Sequence, residues 1–156
     1  MSKTEIRVVR TLDDLKTFVE FHYDLYKGNR YDAPTLFSDD LATLDRDRNA
    51  AFEFCEAEYY LAYKDGRLAG RVAAIVNHRA NETWQRKSVR FGWIDFVDDL
   101  DVSRALLDAV ADFGRRKGME EVVGPLGFTD FDPEGMLTMG FEELGTMATI
   151  YNYPYY

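Results

Sequence analysis

The period of the apolar pattern changes midway through the stretch from Val89 to Gly118. Val89, Phe91, Trp93 and Asp95 alternate with Arg90, Gly92, Ile94 and Phe96, which predicts a strand presenting the two sets on opposite faces. Four residues, Asp98 to Asp101, follow with only Leu100 not acidic. From Val102 the apolar positions recur at helical spacing through Ala105, Leu106, Ala109, Val110 and Phe113. Arg115, Arg116, Lys117 and Gly118 make a suitable helix C-terminus, cations first and then a residue that tolerates the left-handed stop. A short apolar strand, Glu121 to Gly124, comes next. Strand, helix, strand in this order predicts a crossover unit with two parallel neighbours.

Earlier segments supply the rest of a sheet. Ile6 to Val9 reads as a strand. Thr11 is a helix N-cap, with Asp13 and Asp14 in the first turn, and Leu12, Leu15, Phe18, Val19, His22, Leu25 and Tyr26 form an apolar face that ends at Gly28. His22 lies on that face and reads as a histidine at the core edge. Ser38 to Leu44 predicts a short helix capped by Ser38, and Asp45 to Arg48 a solvated segment above Phe52 and Phe54. Ala57 to Lys64 and Arg67 to Asn77 read as strands joined at Asp65-Gly66, a strong hairpin turn. Gly70 marks a bulge or a close approach. His78 to Lys87 reads as a loop covered by Trp84. After the last strand, five glycines between 124 and 145 predict a loop-rich region, with a turn or two of helix at Pro133 to Met139 capped by Asp132. An aromatic ending, Ile150 to Tyr156, is unusual, because chain ends are commonly polar. It implies docking onto the body or onto a second chain, or a fragment of something longer; the fragment is the expectation.

Composition narrows the class. The chain has 156 residues, enough for one domain with a real core. A net charge of −9 leaves no basic stripe for nucleic acid. One cysteine, Cys55, allows no internal disulfide, and two histidines, His22 and His78, offer no multi-histidine metal site. No run of about eighteen apolar residues suits a membrane span, so a soluble cytoplasmic protein with no membrane partner is expected.

The element order resembles that of the GNAT superfamily, the acetyl-CoA-dependent N-acyltransferases. More narrowly, AEYYLAYKDGRLAGRVAAIVN, the block from Arg90 to Gly118, and GPLGFTDFDPEGMLTMGFEELGT with YNYPYY resemble the first half of uncharacterised bacterial GNAT-like proteins. The resemblance implies an α/β fold, a GNAT-like mixed sheet with helices on both faces, here lacking the closing C-terminal helix and strands. It also implies acetyl-CoA at the place where the central strand splays from its neighbour, and a small-molecule amine as acceptor. In that family the turn after the central strand carries glycines, whose N–H groups approach the diphosphate. The matching segment here, Phe96 and Val97 followed by Asp98, Asp99, Leu100, Asp101, Val102 and Ser103, has none. Its aspartates either cap the helix or hold a cation that bridges to phosphates.

Asp95, near the end of the central strand, is the carboxylate best placed to act as base; an apolar setting shared with Trp93 would raise its pKa. Otherwise it accepts hydrogen bonds at the strand end. Tyr151, Tyr153, Tyr155 and Tyr156 are candidate proton donors. Asn77 and His78 are candidates to line a cleft, and Thr129, Asp130 and Asp132 to contact a ligand. Two functions follow: an N-acyltransferase with a degenerate diphosphate loop, or a non-catalytic GNAT-like domain for structure, ligand binding or dimerisation.

Overall fold

A computed structural model describes residues 3–146 and 149–156. Five strands form one sheet in chain order: β1 (Thr4–Val8), β2 (Cys55–Lys64), β3 (Arg67–Asn77), β4 (Ser88–Phe96) and β5 (Glu121–Val123). Neighbours are antiparallel except β4 and β5, which are parallel as the crossover predicts. Helices α1 (Leu12–Leu25) and α2 (Phe37–Leu44) precede β2, α3 (His78–Trp84) follows β3, and α4 (Leu100–Arg116) joins β4 to β5.

Two cores lie on the two faces of the sheet. On one face Phe18, Val19 and Leu44 from α1 and α2 pack on Tyr59, Leu61, Ala73 and Ile75, with Phe128 closing the cluster. On the other face Val102, Leu106, Val110 and Phe113 of α4 pack on Tyr60, Val72, Ala74, Val76 and Val89. Alternation along β2 and β3 feeds both cores, which is why these strands are buried on both sides. Gly70 is a close approach: a Cβ there would stand 2.8 Å from Leu106 Cδ1, and an irregularity in the register lies beside it.

The alternation of β4 fails at one point. Arg71 pairs with Asp95 and Ala73 with Gly92, so Trp93 and Ile94 together oppose Val72. The extra residue is a bulge, and Trp93 takes a left-handed φ of 47° to make it. Val89 and Phe91 therefore face α4, whereas Trp93 packs in the α1 core. The single face expected for Val89, Phe91, Trp93 and Asp95 is split in two.

Local expectations change in four other places. His78 to Trp84 is helical, because the Asn77 side chain caps it by accepting from Ala80 N–H. Trp84 is exposed and covers nothing. Ser38 lies inside α2, whose N-cap is Leu36 with no side-chain cap. Pro133 to Met139 forms no helix: Gly135 has a φ of 86°, and the backbone bonds outward instead. Gly135 N–H donates to Pro125, Leu137 N–H to Asn152 Oδ1, and Asn152 Nδ2 to Leu137 O. Asp132 turns back to accept from Thr129 N–H rather than capping forward.

Parallel pairing of β4 and β5 stops after Arg90 and Val123. The following chain stays close for one more bond, Leu126 N–H to Phe91 O at 2.8 Å, and then leaves. Gly92 sits at this departure, where a Cβ would collide with the backbone oxygen of Leu126. Gly92→Ala must push the two segments apart at a point where backbone, not a flexible side chain, is in the way. We expect it to lower stability by about 1–3 kcal/mol, read as a shift of the urea midpoint at unchanged slope.

Candidate functional site at the splay of the central strand

Where β4 and β5 separate, a cleft opens, about 780 Å³ including its mouth. One wall is charged: His22 of α1, Asp40 of α2, Arg71 of β3 and Asp95 of β4. Much of the remaining lining is apolar: Ile94, Pro125, Pro133, Met136, Ile150 and Tyr151.

Asp95 is the centre of the charged wall and is buried. Its Oδ2 accepts from Arg71 Nε at 2.9 Å and lies 2.7 Å from Arg71 NH2 and 2.9 Å from His22 Nδ1. Its Oδ1 accepts from Tyr156 OH at 3.1 Å. Arg71 also donates to Phe18 O at 2.9 Å, so the guanidinium ties α1 to the sheet. The second nitrogen of His22 lies 3.0 Å from Asp32 Oδ2. Burial alone would raise the Asp95 carboxyl, but Arg71 and His22 bring it below the ordinary carboxylate range. The expectation of a raised pKa is thus corrected: the bulge sets Asp95 against two cations rather than an apolar surface. An ionised carboxylate whose oxygens are already taken is an anchor and a poor base.

His22 is not a neutral core-edge histidine. Burial pulls its pKa down, but hydrogen bonds to Asp32 and Asp95 outweigh this and raise it to about 9. At neutral pH it is an imidazolium donating to both carboxylates. Asp40 behaves differently. Its carboxyl is raised by burial, and among the described residues its one side-chain hydrogen bond is from Trp93 Nε1 at 3.3 Å.

The segment expected to hold the cofactor folds as follows. Both backbone groups of Phe96 are used by tyrosines: its N–H donates to Tyr156 OH at 3.1 Å, and its carbonyl accepts from Tyr155 OH at 2.6 Å. Val97 N–H donates to Ala69 O, closing the sheet. Asp98 and Leu100 are exposed. Asp99 is the N-cap of α4 and accepts from the N–H groups of Asp101 and Val102. Lys64 Nζ neutralises this cap, 3.3 Å from Asp99 and 3.0 Å from Asp101. Val102 is buried in the core, and Ser103 Oγ donates to Leu100 O. These residues do not fit a diphosphate: a carboxylate already holds the helix N–H groups, and the nearby cation is shared between two aspartates.

Other candidates fall elsewhere. Asn77 is buried and donates to Phe128 O, and His78 pairs with Glu56 at the surface; neither lines the cleft. Thr129 and Asp132 bond to each other, and Asp130 is exposed; their loop reaches the cleft only through Pro133 and Gly135. Of the tyrosines, Tyr151 and Tyr156 line the cleft. Tyr156 stacks on Phe96 with ring centroids 4.3 Å apart, and Tyr153 stacks on Tyr26 at 4.7 Å. The aromatic ending is therefore docked on the body. Arg71, Asp32 and Asp40 were not singled out from the sequence. The available signal was Arg71 itself, a lone charge in the apolar run LAGRVAAIV, which demands a buried carboxylate.

Sheet order, crossover and splay together define the fold of the GNAT acyl-CoA N-acyltransferase superfamily. Among solved structures, a tandem GNAT protein from the clavulanic acid biosynthesis pathway superposes with a TM-score of 0.56 at 14% identity, covering 74% of this chain and 34% of that one. A ribosomal-protein-alanine N-acetyltransferase from Brucella melitensis biovar Abortus 2308 gives 0.54 at 18% identity, covering 83% and 84%. No family model matches the chain. Protein YghO of Escherichia coli (strain K12) is 27% identical over 137 residues, 88% of this chain and 35% of that protein. The bacterial ceramide synthase of Caulobacter vibrioides (strain NA1000 / CB15N) is 29% identical over 135 residues, 86% and 35%. The chain spans about a third of the length of these curated relatives. Among the described residues no helix is long and apolar enough to cross a membrane.

A histidine whose pKa rises on folding stabilises the folded state fully below its unfolded value near 6.5, and the gain is lost as pH rises towards about 9. We expect wild-type stability to fall across that window by about 3 kcal/mol at most. His22→Gln should start lower and lose far less across the same window, so that the gap between the two curves narrows as pH rises towards about 9; urea titrations at a series of pH values make the comparison.

Proposed function

We propose that this chain is a GNAT-fold domain of an acyltransferase that joins the acyl group of an acyl-CoA to an amphiphilic amine. The observation behind this reading is the mixed lining of the cleft at the splay, which holds the carboxylates Asp40 and Asp95 together with Ile94, Met136, Ile150 and prolines. A charged amine head and an apolar tail are matched by that lining. The name of the Caulobacter relative, a ceramide synthase, supports the same class, since a ceramide is an amide of a long-chain amino alcohol. The location is proposed to be cytoplasmic.

Because α4 offers no free diphosphate site, affinity for the donor rests on its acyl chain and the apolar part of the lining. A second reading is a non-catalytic domain within a longer protein. It is favoured by one observation, the tyrosines that take both backbone groups of Phe96 at the splay.

Thermal unfolding separates the two readings. Dodecanoyl-CoA should raise the midpoint, by about 5–10 °C at one hundred times its dissociation constant, while acetyl-CoA and free CoA at the same concentration leave it near the unliganded value. No shift with any of the three supports the non-catalytic domain.

A further inference from the structure

The charged cluster at the cleft does not balance once Asp32, which pairs with His22 from outside the lining, is counted with it. Asp95 is matched by Arg71, and Asp32 and Asp95 share His22, which is cationic at neutral pH. Asp40 faces the same space with a hydrogen bond from the neutral Trp93 indole and no ion pair within 4 Å among the described residues. Three carboxylates therefore stand against two cations, and Asp40 is the odd one.

Other groups do not remove the imbalance. Asp132 influences Asp40 from the loop after β5 and adds negative charge; it accepts from the backbone N–H groups of Thr129 and Phe128, and Arg90 acts on it only through space. Arg71, His22 and Asp95 influence Asp40 through space, and all three are already engaged with one another. Tyr23 of α1 also faces Asp40, and its hydroxyl donates to Thr35 O. Asp39 is exposed on the outer side of α2.

We propose that Asp40 is the ammonium anchor of the cleft, the residue that selects a primary amine over a neutral head group of the same shape. This deepens the reading of the cleft given above and rests on it. Several features suit the role. Trp93 holds one carboxylate oxygen of Asp40 through the indole N–H, and the bulge that turns Trp93 left-handed is what brings that N–H to α2. The other oxygen has no hydrogen bond among the described residues, so it can accept from an ammonium. The carboxylate is partly buried, where its attraction for a cation is less screened than in water. The apolar part of the lining then takes the alkyl chain.

Calorimetric titration of the chain with octylamine and, separately, octanol at pH 7 tests this without any acyl donor. Octylamine should bind at least tenfold more tightly than octanol. Asp40→Asn should lower octylamine affinity to the octanol level and leave octanol unaffected. Asp39→Asn, one residue along α2 and exposed, should bind octylamine as the wild type does. An unchanged near-ultraviolet circular dichroism spectrum and melting point for Asp40→Asn verify that the fold is intact; if that variant does not fold, Asp40→Ser and the wild-type preference for amine over alcohol carry the test. Equal binding of amine and alcohol by the wild type, no binding of octylamine, or full octylamine affinity in a folded Asp40 variant would overturn the proposal. Because no donor is present, failure of acyl-CoA to bind leaves this result standing, and loss of amine selectivity leaves the acyl-CoA result standing.

Discussion

The structure depends on keeping Asp95 ionised although it is buried. A buried carboxylate is tolerable only if cations and hydrogen bonds replace its hydration. Here they come from three separate parts of the chain: Arg71 on β3, His22 on α1 and Tyr156 at the end of the described chain. Each partner fixes its own element. Arg71 holds α1 a second time through Phe18 O, and Tyr156 carries the aromatic segment onto the last residue of β4. Removing one partner would strand charge in the interior, the situation that typically costs about 3–5 kcal/mol. The cluster is thus a clasp that closes the first helix, the central strands and the C-terminal segment around one point.

That clasp requires the bulge in β4. With regular alternation, Asp95 would share a face with Val89 and Phe91 and point into the α4 core, away from Arg71 and His22. Inserting one residue against Val72 turns Trp93 and Asp95 to the α1 side. The same distortion aims the Trp93 indole at Asp40 and bends the strand where β5 departs. One local irregularity, with a bulky residue at a φ of 47°, therefore supplies the carboxylate, its indole-bound neighbour and the opening beside them.

Much of the framework was legible because it rests on local signals. Asp65-Gly66 marks the hairpin, Thr11 caps α1 with Asp14 answering it, and the apolar stripe of α4 reads directly onto the sheet. What escaped was set by tertiary partners. A polar run became α3 because Asn77 caps it; Pro133 to Met139 gave up a helix because Asn152, far along the chain, binds Leu137 at both backbone groups. Asp95 was visible as a candidate, but its pKa was read in the wrong direction, since a regular strand hides the bulge. His22 looked like packing because its carboxylate partners stand 10 and 73 residues away.

The N-terminus of α4 is capped from within the chain. The first turn of a helix presents N–H groups that stabilise an anion placed beside them. Here the chain supplies the anion itself. Asp99 folds onto the N–H groups of Asp101 and Val102, and Lys64 reaches from β2 to balance it. A diphosphate would have to displace a carboxylate that is covalently present, and so at high local concentration, and would then face Asp98 and Asp101 as well. The capping energy of a typical aspartate, about 1 kcal/mol, is small, but the like-charge repulsion of an incoming dianion adds to it with each uncompensated aspartate. The cleft nearby has other chemistry to offer, apolar side chains and the carboxylate of Asp40.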